Sequence, residues 1–295
     1  MSRINTGILY GLGAYTLWGF FPVYWKTLKS VPAFEILCHR TVWSLIFVAG
    51  LLALWKHWGW VKGALRRRLT LATFLVTSVL LAINWLTFIW AVNAGFIVEV
   101  SLGYFLNPLL NVLLGAVFLK ERLRLWQGVA VALALGSVAY LIIGYGAFPW
   151  IALTLGFSFA FYGLLRKTAA LGSLEGLGFE TAILFLPALA FLVHFELKGT
   201  ASFGHAGAET SLLLALAGVV TALPLIWFAH AARRVTLMTL GFMQYVAPTL
   251  HFILGVFVYG EMISRDRLIA FAMIWIALII YTFEGVLKAR TAPTA

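Results

Sequence analysis

The chain has 295 residues, of which 63% are hydrophobic and only 11% charged, with a mean hydropathy of +0.99 and a formal net charge of +11. Such usage excludes an ordinary soluble domain and places the chain in a bilayer. The basic excess lies in short connections between apolar runs, so it reads as membrane orientation and not as a surface for nucleic acid.

Each apolar run is roughly 20 residues, the length a helix needs to cross about 30 Å of hydrocarbon, and none alternates as barrel strands do. Ten spans are predicted, near residues 6–25, 32–54, 71–93, 98–119, 125–143, 149–165, 177–195, 211–232, 236–259 and 268–283. The first is too long for a signal peptide and no small-residue cleavage site follows, so it reads as a retained span. Trp18 lies on it. The second span opens with Phe34-Glu35 and carries Cys38, His39 and Arg40 just beyond. Arg40 is the one basic residue well inside a span, where a charge is costly and marks a functional candidate. Its planar fork suits a carboxylate, phosphate or nitro-like group; the rival readings are an internal pair with Glu35 and a side chain snorkelling to the interface. Cys38, the single cysteine, forms no intramolecular disulfide and reads as a small buried hydrophobe. Beyond this span, Trp55, Trp58 and Trp60 read as an interfacial belt.

The third span holds Asn84 and Trp85. On the fourth, Tyr104, Asn107 and Asn111 share one helical face beside Pro108, while Glu99 at its start reads as a solvated carboxylate at a helix N-terminus. The fifth carries Gly128, Ala132 and Gly136, a small-residue stripe that predicts a close helix contact. The sixth runs into Arg166-Lys167-Thr168, and the seventh opens near Phe179-Glu180. The ninth offers Gln244, Pro248 and His251 on one stripe with Tyr245 beside it. A proline frees a carbonyl one turn earlier, so facing kinks at Pro108 and Pro248 would line a wet central cavity; alternatively, the amides simply join helices.

Pro108, Leu110, Leu114, Gly115 and Glu121 recur 140 positions later as Pro248, Leu250, Leu254, Gly255 and Glu261. That offset lays span four over span nine and gives five spans per copy, residues 1–146 and 147–295. An odd repeat inserts its second copy upside down, so the fold class is all-α, ten transmembrane helices in two inverted five-helix repeats. With a cytoplasmic N-terminus, 15 Lys and Arg fall on the cytoplasmic side and 5 on the other, which puts both termini in the cytoplasm.

The six histidines lack metal-ligand spacing, there is no phosphate-binding loop, and Gly11-Leu12-Gly13 does not extend into a dinucleotide fingerprint. The expectation is a non-enzyme without metal or cofactor, whose partners are a small-molecule substrate and the lipid bilayer, as monomer or homodimer. Candidate substrate-binding residues are Trp18, His39, Arg40, Asn84, Tyr104, Asn107, Asn111, Gln244, Tyr245 and His251. Glu35, His39 and Glu180 are the candidates for a coupling proton, because histidine titrates near neutrality and a desolvated glutamate can approach it.

The proline-bearing fourth span ending in Lys120-Glu121, together with the five-plus-five inverted layout, resembles the drug/metabolite transporter superfamily and its EamA-type repeat. Trp18 to Lys26, Glu35 to Arg40, Asn84-Trp85 and Glu99 to Leu109 are similar to the RarD subgroup, whose members are labelled chloramphenicol-sensitivity permeases. The likeness covers essentially the whole chain and is most specific over the first 125 residues. It implies a multi-pass carrier of the bacterial inner membrane, exporting small amphiphilic metabolites or drugs by alternating access. A sugar-phosphate or nucleotide-sugar antiporter is the rival within transport and should want several cavity cations. A membrane-embedded enzyme or lipid-handling protein would want a catalytic cluster.

Overall fold

A computed structural model of the chain describes residues 3–56, 58–118, 125–143, 148–232, 234 and 243–291. The regular structure among them is entirely helical, without a strand. The helices are α1 (Arg3–Gly19), α2 (Phe21–Thr27), α3 (Ala33–Leu54), α4 (Trp60–Arg66), α5 (Arg68–Ala94), α6 (Ile97–Phe118), α7 (Leu125–Ile143), α8 (Trp150–Thr168), α9 (Ser173–Leu197), α10 (Ala208–Ala232), α11 (Val246–Ile253) and α12 (Arg265–Thr291). Among them, α3, α5, α9, α10 and α12 each contain a stretch long and apolar enough to cross a membrane. Leu54, Ile143, Leu186, Leu197 and Phe257 are strongly exposed, as a lipid-facing surface requires.

Three expectations about elements need correction. The first span is broken at Phe20, because Pro22 has no N–H to offer the Trp18 carbonyl and its ring crowds that turn. The ninth changes winding: α11 passes into a π-helical turn, Leu254–Val258, where the Tyr259 N–H reaches back five residues to the Leu254 carbonyl. Residues 235–242, which the prediction placed at the start of that span, lie outside the described residues. Trp60 does not stand in an exposed belt with Trp55 and Trp58; it opens α4 and packs edge-on against Phe179 on α9.

Packing is set by a few close crossings. α3 lies against α9 and α10, α6 against α8 and α11, α1 against α10 and α11, α5 against α8 and α9, and α7 against α12. A Cβ on Gly103 would sit 2.8 Å from the Ala152 carbonyl oxygen, so only glycine lets α6 approach α8 this closely. Gly218 plays the same part for α10, where a Cβ would collide with the Trp43 carbonyl of α3. The stripe expected on α7 is looser than its pattern suggested: Gly136 meets only the Met273 side chain, at 3.4 Å, and Gly128 meets nothing within 4 Å. The α7–α12 contact is carried instead by Ser137, whose hydroxyl donates to the Ala270 carbonyl at 2.9 Å.

The connections 28–32, 95–96, 198–207 and 259–264 are knit together at one end of the bundle. Gly95, in the left-handed region at φ 84°, caps α5 and turns the chain within two residues into α6. The residues between α4, α5, α8 and α9 gather at the other end, where Phe179 packs on both Trp60 and Phe74.

Candidate functional site

Arg40 sits about two turns into α3 on its buried face and is 4% exposed. Its guanidinium carbon lies 4.0 Å from the Trp85 ring centre, 5.1 Å from Trp25 and 5.7 Å from Phe21, so α5 and α2 build an aromatic enclosure around a cation. The break at Phe20 is what turns Phe21 and Trp25 inward. Among the described residues, no carboxylate is paired with Arg40, and its buried Nε–H has no hydrogen-bond acceptor. Desolvated contacts to three rings are worth roughly 2 kcal/mol, which offsets only part of the cost of burying a charge.

A polar thread runs on from this enclosure. Phe21 touches Phe88, and Phe88 lies against both Tyr104 and His251. The Tyr104 hydroxyl donates to the Asn84 amide oxygen at 3.3 Å, and the Asn84 amide nitrogen donates to the Leu155 carbonyl and the Ser158 hydroxyl of α8 at 3.1 and 3.0 Å. From α11, His251 Nε2 lies 3.0 Å from the Trp18 carbonyl, the acceptor that Pro22 left free. One turn earlier on α11, the Pro248 carbonyl accepts the Ser101 hydroxyl of α6 at 2.7 Å. The two proline-bearing helices are thus pinned face to face at the centre of the molecule.

Glutamates bind the ends of the bundle. Glu261 accepts the backbone N–H groups of Ile97 and Val98 at 2.9 and 2.8 Å, capping the free N-terminus of α6 from the segment before α12. Burial pushes its carboxyl up, against the pull of those two donors. Beside it, Glu99 pairs with Arg267 at 2.6 Å, which replaces the expectation of a merely solvated carboxylate, and Lys26 lies over the Tyr259 ring at 4.6 Å. Glu35 accepts both the backbone N–H and the hydroxyl of Ser202, at 2.6 and 2.8 Å. This draws the 198–207 connection over α3 until Phe203 stacks on His39, 5.0 Å away. Toward the other end, Glu180 is fully buried on α9, 3.8 Å from the Arg166 guanidinium, and accepts the Tyr162 hydroxyl at 3.2 Å.

A model of the EamA-like transporter family matches residues 5–143. Protein RarD of Streptomyces exfoliatus is 46% identical to the chain, across 97% of this chain and 91% of that protein. The chain belongs to the EamA-like transporters, within the RarD group. An uncharacterized transporter of Bacillus subtilis, YojE, is 43% identical over 99% of this chain and 98% of its own. One solved crystal structure shares the fold at a TM-score of 0.61, with 20% identity over 96% of this chain and 99% of that one. The protein is therefore a multi-pass membrane permease of this family.

For a RarD-group chain, the sequence-derived residues divide clearly in space. Trp18, Arg40, Asn84, Tyr104 and His251 join in the one contiguous cluster described above. Glu35 and Arg40 do not pair: one residue faces Ser202, the other the aromatic enclosure. His39 faces outward to Phe203 and Glu35. Asn107 is fully buried with neither amide atom partnered. Tyr245 stacks on Phe105 in the α6–α12 core, away from Arg40, and Gln244 beside it is half-buried. Pro248 is buried, whereas the side chains of Pro108 and Asn111 lie outside the described residues. Phe21, Trp25, Trp85, Ser101 and Ser158 were missed as site residues. Pro22 inside an apolar run was the available signal for the first two.

Proposed function

We propose that the chain is a secondary active carrier that exports small amphiphilic metabolites or drugs across the bacterial inner membrane by alternating access, coupled to protons. The carrying observation is the central contact of the two proline helices, α6 and α11, through Ser101 and the Pro248 carbonyl. It supports a ten-span chain of two inverted halves, 1–146 and 147–295, with both termini cytoplasmic. The helix pairings support the same division. Moved by one half, the contact of α6 with α8 becomes that of α11 with α1, and the contact of α5 with α8 becomes that of α10 with α1. The pairs α3–α9, α6–α11 and α7–α12 map onto themselves.

In this reading the end held by Glu261 and Glu35 faces outward, and cargo binds around Arg40 with Trp18, Asn84, Tyr104, Asn107 and His251. His39 and Gln244 stand at the margins, and Asn111 is kept as a binding candidate on its sequence position alone. Glu180, buried beside Arg166 and Tyr162, is the proton carrier best separated from the cargo; Glu35 and His39 serve the outer end. No cofactor or metal takes part. Cells lacking their major efflux pumps and expressing the chain should export at least one compound from a panel of metabolites and antibiotics. That export should collapse with a protonophore. Equal retention of every compound in expressing and control cells would reject the carrier; protonophore-insensitive export would reject the coupling.

A further inference from the structure

Resting on the carrier reading, we infer that the transported compound is an organic monoanion: a planar, carboxylate-type group received by Arg40, attached to an apolar body that lies against Phe21, Trp25 and Trp85. A guanidinium carries five N–H donors in a rigid fork that matches a carboxylate; here the side chain is buried, its Nε–H has no acceptor, and no carboxylate pairs with it among the described residues. Rings attract the cation but accept no ordinary hydrogen bond. The hydroxyls nearest it send their own hydrogens elsewhere, Tyr104 to Asn84 and Tyr24 to the Leu213 carbonyl, and so offer Arg40 neutral lone pairs but no negative charge. A buried charge without a counter-ion and with a stranded N–H is costly, and an incoming carboxylate removes that cost.

The charge balance also sets the valence. Among the described residues, Arg166 is paired with Glu180 and Arg267 with Glu99, whereas no carboxylate is paired with Arg40. The single positive charge of Arg40 neutralises one negative charge, so a dianionic phosphate would leave a net charge against the buried rings. The three rings favour an aromatic or otherwise apolar body over a sugar.

The test uses phenylacetate, its neutral isostere phenylacetamide and dianionic phenyl phosphate on the purified full-length chain in detergent, read by tryptophan fluorescence and thermal shift. Phenylacetate should bind at least about tenfold more tightly than either analogue. Arg40→Gln should reduce that preference to within about twofold, and Arg40→Lys should retain part of it, since a point charge cannot fork. Equal binding of phenylacetamide, tighter binding of phenyl phosphate, or no phenylacetate binding at millimolar concentration overturns the inference. None of these outcomes depends on a variant that has to fold. Counterflow in proteoliposomes separates the two readings. Binding preference without phenylacetate movement defeats the carrier and leaves the anion site, whereas movement that favours the amide defeats the anion site and leaves the carrier.

Discussion

On the proposed orientation, removing the Glu261 carboxylate should open the outward-facing end of the bundle. Its two oxygens hold the N–H groups of Ile97 and Val98 at 2.9 and 2.8 Å, so one side chain from the second half closes the N-terminus of a helix in the first. Glu261→Ala leaves two helix-terminal donors without acceptors, at about 1 kcal/mol each using the low end of the range for stranded groups. The low end is appropriate because burial pushes the Glu261 carboxyl up, so its own desolvation offsets part of what the contact supplies. About 2 kcal/mol is a roughly 30-fold shift between closed and open outer ends. Phe96, half-buried just before α6, reports on that opening as Phe96→Cys, while the native Cys38 is 2% exposed and contributes little background. In whole cells, a membrane-impermeant maleimide should label Phe96→Cys at least about tenfold faster when Glu261→Ala is added, and Glu261→Gln, which keeps one acceptor, should fall between. Unchanged labelling in a double variant of normal helix content would refute the latch.

Other perturbations separate packing from function. Gly103→Ala pushes a methyl group against the Ala152 carbonyl and should cost about 1–3 kcal/mol in thermal unfolding, whereas Gly128→Ala, with open space around it, should melt within about 0.5 kcal/mol of the parent. His251→Phe keeps the ring packing on Phe88 and Tyr104 but loses the 3.0 Å contact to the Trp18 carbonyl; a loss of about 1 kcal/mol is expected from denaturation in detergent, and a larger one would show that the break at Pro22 depends on it. Glu180→Ala strands Arg166 and should destabilise by about 3 kcal/mol. Glu180→Gln retains an acceptor for Tyr162 and should fold, yet abolish substrate-driven proton movement in proteoliposomes; intact proton movement would remove Glu180 from the coupling path.

What the sequence made legible was whatever repeats or breaks a rule locally. The apolar runs gave the helices because bilayer length leaves few alternatives, and Pro248 and His251 were found because they recur on a stripe. Partner choice was not legible. Glu35 and Arg40, five residues apart, suggested a pair, but five residues turn two side chains to different faces of a helix, and Ser202 comes from a loop 167 positions away. The Gly128–Gly136 stripe matched a contact pattern, yet the tight crossings fall at Gly103 and Gly218, single glycines whose importance depends on what the opposite helix presents. The same reasoning explains why Arg40 stands alone. In the proposed inverted repeat, Lys26 and Glu35 are the first-half echoes of Arg166 and Glu180. In the second half the echoes form an ion pair at 3.8 Å, while in the first Lys26 turns to Tyr259 and Glu35 to Ser202. Arg40 has Phe185 as its counterpart, packed against Cys38 and Val42, so no acid is carried with it by the duplication. On the proposed duplication, the unpaired cation falls where the two halves diverge, which is where the proposed anionic cargo would find its partner.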